Sequence, residues 1–153
     1  MRGYFGVGIH HPKREVNIGT LWRSAYQLGA TYIYTIGRRY SPQSSNTTKS
    51  ERHIPLFDYS DFDDFYDHLP YDCPIIAVEM GEYPLENFIH PERCVYLLGA
   101  EDYGLPQEIL GKCYCAVSLR SVRQESYNVS VAGSIVMYDR MVKNARERER
   151  TSR

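Results

Sequence analysis

The stretch YFGVGIHHPKREVNIGTLWRSAYQLGATYIYTI, residues 4–36, decides the fold. It contains a short apolar strand over 4–9, an amphipathic helical pattern between Asn17 and Gly29, and a second β-rich strand over 31–36. Asn17 is a favourable N-cap residue, and Gly29 suits the position just past a helix end. A strand, a helix and a strand in this order predict neighbouring parallel strands.

The same alternation continues along the chain. Further apolar, β-rich stretches cover 54–57, 74–78, 94–98 and 113–119, with helical patterns between several of them. This predicts an α/β fold, a parallel sheet flanked by helices on both faces, in one domain over 1–153. The last helix is expected to begin after Ser126 or Asn128 and to run to about Arg146. Its apolar residues surround most of the helix, so we expect part of its surface to meet another subunit.

Composition excludes several classes of protein. Of the 153 residues, 42% are hydrophobic and 24% charged, which argues against disorder, and the net charge of -1 excludes a globally basic nucleic-acid binder. No apolar run approaches the roughly 20 residues of a membrane span. No secretory signal pattern begins the sequence, so we expect a cytoplasmic protein without membrane association. The four cysteines and five histidines lack metal-ligand spacing, so we expect core thiols and no metal site.

A local basic patch stands out against this neutral background. The segment RRYSPQSSNTTKSER, residues 38–52, carries Arg38, Arg39, Lys49 and Arg52 against the single acid Glu51. Its serines and threonines could donate hydrogen bonds to phosphate oxygens. A solvated loop without a partner explains the composition equally well, and the basic end of the chain after Lys143 allows the same two interpretations.

Two polar turns follow predicted strands, at the place where parallel sheets bind ligands. One is LLGAEDYGLP, residues 97–106, and the other is SLRSVRQESYNVS, residues 118–130. The segment GVGIHH, residues 6–11, lacks the last glycine of a dinucleotide fingerprint, and no phosphate-binding loop or esterase motif occurs. A small-molecule enzyme that uses another nucleotide cofactor is therefore the least favoured hypothesis.

Three motifs in order resemble those of the SpoU/TrmH family of RNA ribose 2′-O-methyltransferases, in the SPOUT class. NIGTLWRSAYQLGA, residues 17–30, matches N-x-G-x-x-x-R-x-A-x-x-x-G, and VYLLGAEDYGLP, residues 95–106, matches G-x-E-x-x-G-[LI]-P. ESYNVSVAGSIVMYDR, residues 125–140, is similar to the third motif, S-L-N-V-S followed by a helix of small residues. The resemblance covers residues 17–140.

The resemblance implies a deep trefoil knot over approximately 74–142, which periodicity alone does not predict. It also implies S-adenosylmethionine as cofactor, RNA as substrate, no metal, and a homodimer with the active site at the subunit interface. The cofactor would lie among three loops, whose implied contacts are Val78, Glu79, Met80, Gly81, Leu98, Gly99, Ala100, Gly104, Leu105, Ser118, Leu119, Ser126, Tyr127 and Ser130.

The resemblance further implies the roles of four candidate catalytic residues. Arg23 would act on the ribose 2′-hydroxyl, and we favour orientation and charge stabilisation because a guanidinium is a permanent cation. Asn17 would fix the first motif, Glu101 would hold the cofactor loop or Arg23, and Asn128 would order the third loop. RNA contacts are expected from Arg38, Arg39, Lys49, Arg52, Arg120 and Arg123.

The chain departs from the family pattern in its third loop. Ser118, Leu119 and Arg120 stand where relatives usually have Ile-Pro-Met, and Tyr127 replaces a leucine. We expect a tRNA 2′-O-methyltransferase. The alternatives are a ribosomal RNA 2′-O-methyltransferase and a non-catalytic RNA-binding or ribosome-associated relative.

Overall fold

Six strands form one sheet, with helices on both of its faces. The computed structural model describes residues 3–38, 53–100, 103–123 and 126–153, with the backbone alone at 80–82. The strands are β1 (Tyr4–His10), β2 (Tyr32–Ile36), β3 (Leu56–Tyr59), β4 (Ile75–Pro84), β5 (Arg93–Leu98) and β6 (Cys115–Ser118). The helices are α1 (Glu15–Gln27), α2 (Phe62–Asp67), α3 (Gln107–Leu110) and α4 (Val129–Thr151), and a single 3₁₀ turn covers Leu85–Asn87.

The strand order is β3-β2-β1-β5-β4-β6, and each of the pairings between these strands is parallel. Val7 of β1 lies between Ile33 of β2 and Tyr96 of β5, at the centre of the sheet. β4 is irregular between Val78 and Tyr83, where its register with β6 shifts. Because all strands run the same way, their carboxyl ends share one edge, and the turns that begin at residues 11, 37 and 99 lie there. The predicted parallel α/β sheet is confirmed.

Two apolar layers cover the sheet. On one face, α1 and α4 pack on the side chains of β1 and β5 that include Val7 and Tyr96. On the other face, α2 and α3 cover a second cluster that includes Tyr34 and Leu97. Along β5 the side chains alternate between the two clusters, as the pleat of a strand buried on both faces requires.

Gly6 and Gly8 of β1 have a packing role. A Cβ atom at Gly6 would lie 2.5 Å from the ring of Tyr32, and one at Gly8 would lie 2.3 Å from the ring of Tyr34. The two rings occupy the space that side chains of the central strand would otherwise fill. The two glycines of the GVG sequence therefore leave room for the tyrosine rings of β2. This packing role agrees with the absence of a complete dinucleotide fingerprint.

The predicted start of the first helix is wrong. α1 begins at Glu15, two residues before Asn17, and its N-cap residue is Arg14, which makes no side-chain capping bond. Asn17 lies inside the first turn instead, where its side chain is needed for a contact with another motif. The predicted end is confirmed, since the helix stops at Gln27 and Gly29 follows in the left-handed region at φ 89°.

The last helix starts as predicted and ends later than expected. Asn128 is its N-cap residue and Thr151 its last residue, five residues beyond the expected end near Arg146. The four cysteines are free thiols, of which Cys73 and Cys94 are buried. The trefoil knot over approximately 74–142 stays a prediction from the family resemblance.

Candidate active site

Helix α1 holds the two candidate residues of the first motif on different sides. Asn17 is 5% exposed, whereas Arg23 is exposed. Six residues separate them, which is about 9 Å along a helix axis and about 240° around it. The helix therefore uses Asn17 for an internal contact and presents Arg23 outward, where a ligand or a second chain could reach it.

Asn128 connects the first motif to the third. Its side-chain amide donates a hydrogen bond to the Asn17 side-chain oxygen at 3.1 Å. Its own side-chain oxygen accepts from the backbone N–H of Ser130 at 3.0 Å, the Ser130 hydroxyl at 2.6 Å and the backbone N–H of Val131 at 3.3 Å. Asn128 thus caps α4 and fixes it against α1 at the same time, which is a positioning role.

A second contact holds α1 and α4 together nearly two turns further along. The Ser134 hydroxyl donates to the Ser24 hydroxyl at 2.8 Å, directly next to Arg23 in sequence. Gly133 brings α4 close to the sheet, since a Cβ there would lie 2.6 Å from Leu21 and 2.9 Å from Leu98. The backbone that carries Arg23 is therefore held by both side-chain hydrogen bonding and close packing.

The glycine turn after β5 is tight and is held by a carboxylate. Ala100 and Gly104 form an antiparallel bridge, and Gly104 has φ 63°. A Cβ at Gly99 would lie 2.5 Å from the backbone of Gly104. Glu79, at the irregular part of β4, accepts a hydrogen bond from the backbone N–H of Leu105 at 3.0 Å. The structure thus joins two of the three predicted cofactor loops through Glu79.

The third loop is tied by the residue that departs from the family pattern. The Tyr127 hydroxyl donates to the backbone carbonyl of Arg120 at 2.7 Å. This bond joins the two ends of the segment between β6 and α4. The Arg120 guanidinium lies 2.9 Å from the Glu86 carboxylate, and both side chains are well exposed. Arg123 is also exposed, so both arginines remain accessible to a polyanion.

The remaining cofactor candidates differ in how far their side chains are exposed. Val78, Leu98, Leu105 and Ser130 are buried, each less than 10% exposed. Gly99, Ala100, Gly104, Ser118 and Leu119 are half-buried at the carboxyl edge, and Ser126 is exposed. Glu101, Arg39, Lys49 and Arg52 lie outside the described residues, as does the side chain of Met80, and Gly81 is described by its backbone alone.

The end of β1 and the turn that follows it contain polar contacts outside the three motifs. His10 is 8% exposed, and burial, with the neighbouring His11 adding to it, lowers the pKa of His10 to about 4. The Arg38 guanidinium donates to the backbone carbonyls of Pro12 and Lys13 and pairs with Glu15. Arg38 therefore braces this turn with the side chain that was expected to contact RNA.

A groove of about 620 Å³ follows the outer side of α4. On this side of the helix, Val131 is 45% exposed and Tyr138 is 58% exposed. Thr20 of α1, one turn before Arg23, also lines this groove. The outer side of α4 thus carries both apolar and polar residues, and its contact with another subunit stays a prediction.

Among the described residues, no helix is long and apolar enough to cross a membrane. Within the same part of the chain, no group of three or more His, Cys, Asp or Glu side chains is arranged to hold a metal ion.

Comparison with solved structures identifies the same architecture elsewhere. The SpoU methyltransferase AviRb from Streptomyces viridochromogenes superposes with a TM-score of 0.88 at 21% identity, over 96% of this chain and 62% of AviRb. AviRb has also been solved in complex with AdoMet, at a TM-score of 0.86. This chain thus spans about three fifths of AviRb.

Two further structures match at similar levels. One, described as giving structural insights into the 2-OH methylation of C/U34 on tRNA, has a TM-score of 0.80 at 22% identity, over 94% of this chain and 92% of that one. The TrmH/SpoU tRNA modifying enzyme of A. aeolicus has a TM-score of 0.83 at 18% identity, over 96% of this chain and 78% of that one. No curated protein matches the sequence significantly.

The family comparison covers almost the whole sheet. The sequence model of the SpoU rRNA Methylase family matches residues 5–138, from β1 into the first half of α4. That range includes the bond between Asn17 and Asn128, the turn after β5 and the outward-facing Arg23. The chain belongs to the SpoU rRNA Methylase family.

Proposed function

We propose that this protein is an S-adenosylmethionine-dependent RNA methyltransferase that modifies a ribose 2′-hydroxyl, with tRNA as its preferred substrate. The observation that carries the proposal is the Asn17–Asn128 hydrogen bond, which joins the first and third motifs in the folded chain. Membership of the family supports the methyltransferase chemistry. We expect the enzyme to act in the cytoplasm.

The carboxyl edge of the sheet fits the cofactor. Gly99 and Gly104 bring only backbone to this edge. Glu79 holds the turn that contains them by accepting a hydrogen bond from the backbone N–H of Leu105. Backbone groups at Val78–Gly81, Leu98–Ala100, Ser118–Leu119 and Ser126–Ser130 would complete the pocket. When bound, S-adenosylmethionine supplies an electrophilic methyl group on a sulfonium. The AdoMet complex of AviRb, which has the same fold, supports this assignment.

Arg23 is the residue that we assign to the ribose. A 2′-hydroxyl is a weak nucleophile and must lose its proton as it attacks, and that proton would pass through the neighbouring RNA phosphate to solvent. A guanidinium remains charged near pH 7, so Arg23 would orient the hydroxyl and a neighbouring phosphate and stabilise the oxyanion that develops. Its exposed position on α1, beside the groove of α4, leaves it accessible to RNA or to the cofactor edge of a second subunit.

The groove of α4 supports the proposed homodimer. Its apolar lining includes Val131, Ile135 and Tyr138, and it also contains Thr20, one turn from Arg23. A second copy that covers this groove would bring its own residues next to Arg23. The active site would then be shared between subunits, which explains why Arg23 faces away from the Asn17–Asn128 bond.

The RNA surface would consist of Arg120 and Arg123 in the third loop, together with Arg39, Lys49 and Arg52. Arg38 would support this surface by bracing the turn after β1. The preference for tRNA rests on the structure concerned with C/U34 of tRNA, whose chain is covered to 92% by this one. Ribosomal RNA is the alternative substrate, in line with the family description.

The first experiment is calorimetric titration with S-adenosylhomocysteine, followed by tritiated methyl transfer to fractionated tRNA and ribosomal RNA. We expect one site per chain and transfer to tRNA, with the label retained in dinucleotides that resist alkaline cleavage. An alkali-sensitive product would contradict ribose modification. RNA binding without cofactor binding would favour the non-catalytic relative.

The role of Arg23 is tested by Arg23→Ala and Arg23→Lys. We expect both variants to bind S-adenosylhomocysteine normally, and Arg23→Ala to lose at least a hundredfold in methyl transfer. Lys112→Ala is the matched control, because it removes an exposed cation on the opposite face of the sheet, beside α2. An unchanged transfer rate in Arg23→Ala would remove Arg23 from the mechanism.

A further inference from the structure

An exposed pair of stacked rings lies on the outer face of α1. The rings of Tyr26 and His53 have centroids 4.5 Å apart and planes inclined by 17°. Tyr26 is 44% exposed, and His53 is exposed as well. Tyr34 and Phe65 stack with nearly the same geometry, at 4.5 Å and 15°, but those rings are buried in the core. The pair on α1 therefore keeps ring surface available to a ligand.

The two segments that carry these rings are held together by hydrogen bonds. The indole N–H of Trp22 donates to the backbone carbonyl of Ile54 at 3.1 Å, which ties the residue after His53 to α1. Two residues further on, Leu56 enters the sheet opposite Ile33. The two rings are thus carried by α1 and by the entry to β3, so little conformational entropy remains to be lost when a ligand stacks on them.

The pair lies beside Arg23. Tyr26 is three residues after Arg23, a spacing that makes side chains neighbours on a helix surface. Thr20, three residues before Arg23, lines the groove of α4 on the other side. Arg23 therefore separates the groove, where a second subunit is proposed, from the stacked rings, which remain on the open flank.

We propose that Tyr26 and His53 form a stacking platform for an unpaired nucleobase of the RNA substrate, adjacent to the nucleotide whose ribose Arg23 orients. Proteins read unpaired RNA bases by stacking them on aromatic side chains, and the planar face that this requires is present in every base. A guanidinium next to the platform adds a partner for the phosphate of the same nucleotide. The inference rests on the proposed function and names the part of the RNA that this face binds.

The test uses a fluorescein-labelled oligoadenylate ten nucleotides long and the same oligomer with abasic riboses at its four central positions. Stacking of one base contributes between about fivefold and about 150-fold in affinity. We expect the full chain to bind the base-bearing oligomer more tightly by a factor in this range. Tyr26→Ala and His53→Ala should remove the difference, whereas Tyr26→Phe should keep it.

Tyr114→Ala is the matched control, because Tyr114 is 73% exposed and precedes β6 at the opposite edge of the sheet. Near-ultraviolet circular dichroism and S-adenosylhomocysteine affinity check that each variant is folded. Equal affinity for the two oligomers, or an unchanged difference in Tyr26→Ala and His53→Ala, overturns the platform.

Methyl transfer to fractionated RNA separates the two proposals. If methyl transfer occurs but the chain binds the base-bearing and abasic oligomers equally, the platform is wrong and the proposed function stands. If the discrimination depends on Tyr26 but no methyl group is transferred, the platform stands and the proposed function fails.

Discussion

The Asn128 side chain both caps α4 and bonds to α1. Its oxygen accepts from the first backbone N–H groups of α4, and its amide donates to Asn17. The donors at a helix start have no partner within the helix, so such a cap stabilises the fold directly. The donation to Asn17 adds an interaction between two motifs that are 111 residues apart in sequence.

These two contributions can be separated with a pair of variants. Asn128→Ser keeps a capping oxygen but has no amide for Asn17, whereas Asn128→Ala lacks both. Loss of a cap costs about 0.5–2 kcal/mol. In urea titration we expect the free energy of unfolding of Asn128→Ala to be lower than that of Asn128→Ser by an amount in this range. Methyl transfer should fall in both variants, and equal stability of the two would contradict the capping role.

Stability should depend on pH through His10. Burial lowers the pKa of His10 to about 4 in the folded chain, while the unfolded chain keeps the ordinary value near 6.5. Below pH 6.5 the unfolded state therefore binds a proton that the folded state does not. The contribution of His10 is fully present above pH 6.5 and is lost as the pH falls toward 4.

The measurement is the free energy of unfolding of the wild type and of His10→Gln at pH 7.5 and pH 4.5. We expect the wild type to lose more free energy between these pH values than the variant, because the carboxylates are common to both chains. His53→Gln, which removes an exposed histidine outside the surroundings of His10, is the control. Parallel pH profiles of wild type and His10→Gln would show that burial of His10 is not linked to folding.

At the scale of elements, the turn after β5 requires glycine at position 99, because backbone atoms occupy the space that a Cβ atom would take. A Cβ at Gly99 would lie 2.5 Å from the carbonyl carbon of Gly104 and 2.8 Å from the backbone nitrogen of Leu105. A flexible side chain could move aside, but the backbone of a bridged turn moves only if the turn opens. This turn is also the one that Glu79 holds.

We expect Gly99→Ala to open the turn, with a loss of about 1–3 kcal/mol in unfolding free energy, the usual cost of overpacking. S-adenosylhomocysteine affinity should fall at least tenfold. Gly111→Ala is the matched control, because the nearest atom to its added Cβ would be 3.5 Å away, an ordinary contact. Normal affinity of Gly99→Ala would mean that this turn does not contact the cofactor.

α4 is fixed to the sheet by a buried polar network as well as by apolar packing. Arg140 is 3% exposed and donates to the backbone carbonyls of Pro91 and Glu92 and to the Tyr96 hydroxyl. His90 bridges Tyr96 to Asp139 of α4, and burial lowers the pKa of His90. These contacts hold the segment between β4 and β5 against the helix and set the position of the groove.

At the scale of the whole molecule, the groove of α4 determines the predicted assembly. We expect the wild type to sediment as a dimer, at twice the 17.8 kDa of one chain. Val131→Asp places a charge in the groove and should give folded monomers that bind RNA but transfer no methyl group, since the site would lack its second subunit.

Tyr71→Asp is the control for this prediction, because Tyr71 is 92% exposed and precedes β4, away from the groove. That variant should remain dimeric and active. A wild type that sediments as a monomer at the concentration of the transfer assay would contradict the shared active site.

The sequence by itself determined the parallel α/β class, the approximate positions of the strands and of the two long helices, and the family. Strands buried on both faces are nearly continuous apolar runs, so they can be recognised locally, and the motifs around Arg23, Gly99 and Asn128 lie in one order along the chain. The end of α1 at Gly29 could also be predicted, because a left-handed residue after a helix favours glycine.

Only the tertiary structure decided what several of these residues contact. Asn17 is a favourable N-cap residue by type, but it became an internal partner of Asn128, and α1 began two residues earlier. Likewise, the Tyr127 hydroxyl donates to the Arg120 carbonyl, and Tyr26 stacks on His53, and neither contact follows from a local sequence pattern. Such contacts join residues far apart in sequence, so their geometry depends on packing of the whole chain and not on local propensity.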